Sequence, residues 1–134
     1  MPGVMVDTSV WVAYFRGGKD FYPVADALDY LLADGDVVVD EIILSELLPF
    51  MRIRGEAEAE DALLALDNPP LAPDWPQLRQ WQEQCLRHGV NKVGIPDLLI
   101  AQHAKALGVP LFSLDRHFPL MAPLVGLELW PGKA

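Results

Sequence analysis

Cysteine is almost missing from this chain. The single thiol, Cys85, excludes an internal disulfide and suits a reducing cytoplasm, which is the expected location. Long apolar runs are missing too. The longest uncharged stretch, Phe118 to Leu127, is about half the length of a membrane helix and is interrupted by prolines and a glycine. The N-terminus lacks the basic and apolar regions of a secretory leader, so neither export nor a membrane is expected. Positive charge is scarce: ten lysines and arginines face nineteen aspartates and glutamates, for a formal charge of −9. That excludes a protein that grips nucleic acid through a broad basic face. It leaves room for a nucleic-acid enzyme whose positive charge comes from metal ions, a local patch or a basic partner.

What is present is ordinary globular material: 134 residues, 51% hydrophobic and 22% charged, expected to form a single domain over residues 1–134. Cys85 reads as a buried apolar residue of a helix. Val4 to Val6 is a short apolar strand, after which Thr8 and Ser9 offer N-cap oxygens for a helix through Phe15. A second helix is expected over Phe21 to Ala33, then a strand over Val37 to Val39 that ends on Asp40. Two helices follow, Ile42 to Arg52 and Ala57 to Leu66, broken near Gly55. The proline-rich segment "DNPPLAPDWP" has room for one short strand near Leu71. Another helix, starting at Trp75 or Gln77, reaches Arg87. Pro96 suits the first turn of a helix that runs to Leu107 and stops at Gly108. Leu111 to Leu114 is a third apolar strand and Leu127 to Trp130 a weak last one. Short, continuously apolar strands alternating with helices predict a short, mostly parallel central sheet in a three-layer α/β/α sandwich.

Open parallel sheets bind ligands beyond the carboxyl ends of their strands. Asp7 and Asp115 fall at that edge, and Asp97 opens a helix that leads into such a strand. Each alone could be simply a helix cap that meets free N–H groups and the helix dipole. Glu46 does not fit that role. Wound at about 100° per residue, the helix groups Glu41, Ser45 and Arg52 on a polar arc, and Glu46 falls off it between Ile42 and Phe50. A carboxylate on a core-facing stripe needs a cation or several donors. Four carboxylates gathered at one edge would repel one another unless something positive sat between them. Oxygen donors suit Mg²⁺ or Mn²⁺ rather than zinc, and such a site activates water against a phosphate.

With these residues in place, the chain resembles the PIN-domain ribonucleases, and most of all the VapC toxins of bacterial toxin–antitoxin pairs. The likeness rests on "VDTSVWVAYFRG", "DEIILSELL" and "IPDLLIAQHAKALGVPLFSLDRHF", and covers nearly the whole chain. It implies that Asp7, Glu46 and Asp97 hold Mg²⁺ or Mn²⁺ and that Asp115 completes the acidic site or helps a second ion, all four being catalytic. Thr8 and Ser113 would orient carboxylates or water behind them. The implied activity is hydrolysis of RNA phosphodiester bonds by an endoribonuclease. The implied partners are RNA, a small VapB-like antitoxin and a second copy of the chain in a homodimer.

Other residues are given plainer roles. Arg116, beside Asp115, is the best candidate among the basic residues for an RNA contact. His88, His103 and His117 read as surface or capping residues, and Trp11 as core or dimer packing. A phosphatase with a covalent aspartate would need an aspartate where Ser9 stands. A phosphorylation-receiver domain would need an acidic pair near the first strand. The remaining alternative is a catalytically silent PIN-like protein-interaction module, which has no use for four mutually repelling carboxylates.

Overall fold

The computed structural model describes residues 3–131; Met1, Pro2 and residues 132–134, which the expected 1–134 domain includes, lie outside that description. Val4–Val6 (β1) is buried along its whole length and forms the centre of the sheet. Val37–Val38 (β2) and Leu111–Phe112 (β3) flank it in the order β2-β1-β3, and both pairings are parallel. Strands covered on both faces need apolar side chains at successive positions, which is why these segments show no polar alternation. Because all three run the same way, their carboxyl ends share one edge. Asp7 follows β1 directly, Asp40 follows β2 by two residues, and Asp115 follows β3 by three.

Thr8–Arg16 (α1), Tyr22–Ala33 (α2), Glu41–Arg54 (α3), Ala57–Leu64 (α4), Trp75–Arg87 (α5), Ile95–Leu107 (α6) and His117–Val125 (α7) complete the three-layer α/β/α sandwich. Helix α3 packs against α1, α4 and α6, while α5 packs against α6 and α7. Gly55 and Gly108 stop α3 and α6 in the left-handed region, at φ of 71° and 70°, a conformation other residues reach only with strain. Cys85 is fully buried on α5 as expected, and burial pushes its thiol pKa up, away from the reactive thiolate.

Four expectations need correction. Asp7, not Thr8 or Ser9, is the N-cap of α1, and Thr8 and Ser9 belong to the helix. The strand expected near Leu71 is absent: residues 68–74 are irregular, and only Asp67 bridges to Val38. The last strand shrinks to one parallel bridge, Leu111 with Leu129, held by N–H···O bonds of 2.9 Å on either side. Helix α7 is not among the elements expected from the sequence. Pro119 lies in the first turn, where the N–H has no intrahelical acceptor, so only Pro123 removes a bond from the helix interior. Phe118, Met121, Ala122 and Val125 then share one buried face.

Phe118 is 0% exposed, whereas Leu120 on the same helix is 57% exposed. Phe118→Ala is therefore expected to destabilise the protein by about 3–5 kcal/mol, and Leu120→Ala by no more than about 0.5 kcal/mol. Urea unfolding of both variants measures this; similar small losses would mean that α7 is not part of the core.

Candidate active site

Asp7 is 5% exposed and is held by two serines. Ser9 Oγ donates to Asp7 Oδ2 at 2.7 Å and Ser113 Oγ donates to the same oxygen at 2.8 Å. Each hydroxyl has one proton, and both are spent on Asp7. Each serine oxygen in turn accepts a backbone N–H from beyond β3: Leu114 N–H reaches Ser9 at 2.9 Å and Asp115 N–H reaches Ser113 at 3.0 Å. The 3.2 Å approach of the two hydroxyls is thus close packing between atoms whose protons point elsewhere. Asp7 Oδ2 is saturated, and Oδ1 is left without a protein donor among the described residues. This network also accounts for the end of β3 at Phe112 although the expected strand runs on to Leu114: Ser113 is held on Asp7 and the Leu114 and Asp115 N–H groups on the serine hydroxyls.

Glu46 comes from α3, and Thr8 Oγ1 donates to its Oε1 at 2.6 Å. Its surroundings differ from those the helical wheel predicts, however. Glu46 is exposed, not core-facing, and Phe50 beside it is 70% exposed. The buried stripe of α3 is Ile43, Leu44, Leu47 and Met51. Asp97, half-buried in the first turn of α6, accepts the Gly94 N–H at 3.4 Å. Asp115 accepts from the His117 backbone N–H at 2.9 Å and meets His117 Nδ1 at 2.8 Å.

Asp97 feels the other three predicted carboxylates. The Asp97 pKa is raised first by burial and then by the negative charges of Asp115, Asp7 and Glu46, against a lowering by the Gly94 N–H. Among the described residues no Lys, Arg or His pairs with Asp7, Glu46 or Asp97. Nor do three acidic, His or Cys side chains converge tightly enough to form a ready cage for an ion there. The donor chemistry nevertheless fits a hard divalent cation: all-oxygen ligands, one fixed by hydroxyls, with a shared excess of negative charge. Arg116 is exposed at the entry to α7, next to Asp115, whereas Arg52 is tied to Glu60 at 2.8 Å.

Two residues of this edge have roles that the sequence does not reveal. Ser9 is expected only as a cap, although its spacing of two from Asp7 lets a short hydroxyl reach back. His103, expected as a surface or capping residue, is 5% exposed, and its Nδ1 lies 2.9 Å from Oδ2 of the fully buried Asp40. Asp40 caps α3 through Oδ1, which accepts the Ile43 N–H at 3.0 Å. It is a strand-end aspartate like Asp7, but it is turned inward.

Burial and like charge favour the protonated form of Asp97, so the folded protein binds that proton to a higher pH than the unfolded chain does. The resulting penalty is absent below the ordinary aspartate range near about pH 4 and is complete above the raised value. Asp97→Asn, which keeps an acceptor for the cap, is therefore expected to raise the metal-free unfolding midpoint at pH 7 by about 4 °C for each kcal/mol relieved. The gain should fade as the pH falls through the raised value and be gone below about 4. An unchanged or lower midpoint at pH 7 would show that the carboxylates do not strain the fold.

Comparison with known proteins bears on the fold and the family. The PIN domain family pattern matches residues 4–123. A chain of the DNA-bound VapBC complex of Salmonella typhimurium superposes with a TM-score of 0.73 at 19% identity, over 96% of this chain and 97% of that one. A chain of a Rickettsia felis VapBC complex bound to promoter DNA gives 0.69 at 21% identity, over 94% and 96%. A sarcin–ricin-loop-cleaving VapC toxin of Mycobacterium tuberculosis gives 0.62 at 20% identity, over 88% and 94%. At these identities the structural likeness speaks for the fold, and the family match reaches from β1 into α7. The chain belongs to the PIN domain family.

Proposed function

We propose that this protein is a Mg²⁺- or Mn²⁺-dependent endoribonuclease, the toxin of a VapBC-type pair acting in the cytoplasm. The observation that carries the reading is the set of carboxylates whose charges raise Asp97 while Asp7, Glu46 and Asp97 have no cationic partner among the described residues. A fold does not hold such a set without something positive to meet it. The resemblance of the sequence to VapC toxins, and the VapBC complexes among the structural neighbours, support the toxin assignment.

On this reading Asp7, Glu46 and Asp97 hold the ion and Asp115 completes the acidic site. The ion, when bound, supplies the positive charge that lowers the pKa of water and neutralises the phosphate under attack. The remaining work falls to the chain itself. Ser9 and Ser113 occupy one oxygen of Asp7 and leave the other without a protein donor among the described residues. Thr8 does the same for Glu46 by occupying Oε1. His117 steadies Asp115 through both its ring and its backbone N–H. Exposed Arg116 is placed to meet a phosphate of the RNA strand.

With so few basic residues, affinity for RNA must come from the ion and a few local contacts rather than from the whole surface. The same charge favours a small antitoxin that brings basic side chains to the acidic edge. A homodimer is the expected assembly of the free toxin.

The decisive experiment needs no RNA target. Mn²⁺ is titrated by calorimetry into the partner-free protein and into Asp7→Asn and Glu46→Gln. Binding by the native chain and at least about tenfold weaker binding in both variants is expected. Equal binding in all, or none in any, would sink the metal site and leave the silent interaction module as the better description.

A further inference from the structure

Asp40 and His103 form the most buried contact between two polar side chains among the described residues, at 0% and 5% exposure. An ionic or strongly polar pair in a core is a poor stabiliser, because apolar residues of similar volume fill the same space without desolvation. The surroundings here could be wholly apolar: Leu98, Leu99, Ile100, Ala101 and Ala104 of the same helix are all buried. His103 Nε2 is also buried with no hydrogen-bond partner among the described residues, so even the bonds available are not all made. What the pair does supply is direction.

Asp40 is fixed twice over. Its Oδ1 caps α3 through the Ile43 N–H, and its Oδ2 meets His103 at 2.9 Å. One short bond therefore ties the first turn of α3 to the middle of α6. Apolar contacts alone tolerate sliding and rotation of helices against each other; a directed bond between two anchored groups does not. These are the helices that carry Glu46 and Asp97. Glu46 lies six residues beyond Asp40 and Asp97 six residues before His103, so each carboxylate stands about 9 Å along its helix from the bond. Over that length an α-helix is stiff, and the register of one pair sets the register of the other.

We infer that Asp40 and His103 are positioning residues: their buried bond locks α3 against α6 and so sets Glu46 relative to Asp97. The inference rests on the metal-site reading for its consequence, but the lock itself is measurable without metal.

The test replaces both partners at once by Asp40→Ser with His103→Leu, which keeps a helix cap and leaves no unpaired charge in the core. Asp40→Asn serves as the conservative rescue, since its amide can cap α3 and still bond the imidazole in its other tautomer. Two readings are taken: Mn²⁺ affinity by calorimetry, and the α3–α6 distance distribution between spin labels attached after Phe50→Cys and Ala106→Cys, the native Cys85 being buried. In the double variant, cooperatively folded, we expect Mn²⁺ to bind about tenfold more weakly and the distance distribution to broaden. Asp40→Asn should return both to native.

An unchanged distribution in the folded double variant overturns the lock. A broadened distribution with native Mn²⁺ affinity overturns the positioning role. If the native chain binds no Mn²⁺, the metal reading fails separately and the lock stands or falls on the distances alone. Should the double variant not fold, Asp40→Thr with His103→Met, a more adaptable apolar filler, takes its place under the same criteria.

Discussion

Parallel pairing of β1 with both neighbours is the constraint on which the rest of this molecule depends. The strands are only three and two residues long, far too short to stabilise a sheet by themselves. Their register, Val4 with Val37 and Val6 with Phe112, nevertheless decides where the chain emerges from each strand. Since all emerge on one side, a residue placed just past a strand is delivered to the same edge whatever its distance in sequence. Ser113 thereby reaches Asp7 across a separation of 106 residues. The helices protect this arrangement by covering both faces, and the site exists because the strands end where they do.

Two aspartates at that edge show how environment divides labour between like residues. Asp7 and Asp40 both follow buried strands, both cap the next helix, and both are nearly or wholly buried. Asp40 is answered by an imidazole on α6 and faces inward. Asp7 is answered only by neutral donors, two hydroxyls and the Ser9 backbone N–H, which fix its direction while adding no charge. An aspartate whose two oxygens are both taken by protein donors inside the core has no oxygen left for the edge. One held through a single oxygen keeps the other for something from outside. The field of Asp7, Asp115 and Glu46 on Asp97 is the consequence.

Much of this is legible in the sequence, for reasons that differ by residue. A continuous apolar run followed by aspartate marks the carboxyl end of a strand in a parallel sheet, and that locates Asp7 and Asp115. Asp97 is readable because Pro96 marks a first helical turn. Glu46 stands out in the sequence for a reason the structure does not bear out. A helical wheel has no knowledge of which side is covered, and exposed Phe50 makes a solvent-facing flank look like core. Helix α7 is hidden when its prolines are counted without regard to where in the helix they stand. The Asp40–His103 contact is out of reach altogether, since nothing in the local sequence of either residue points to a partner 63 positions away. Local patterns report what a residue does to its own element; they are silent on which distant element answers it.

The stability of such a site has a particular logic. Carboxylates that repel in the folded state weaken it, and the weakness is largest when nothing positive is present. Anything that binds the folded edge and not the unfolded chain recovers that loss, by an amount that grows with its concentration over its dissociation constant. A divalent cation and a basic protein segment are alike in this respect, because both act on the same excess charge. The two would therefore compete for one edge while each stabilises the fold on its own. On the proposed reading, a buried lock behind the acids, made from groups that the edge itself does not use, would keep their spacing constant whichever of the two is bound.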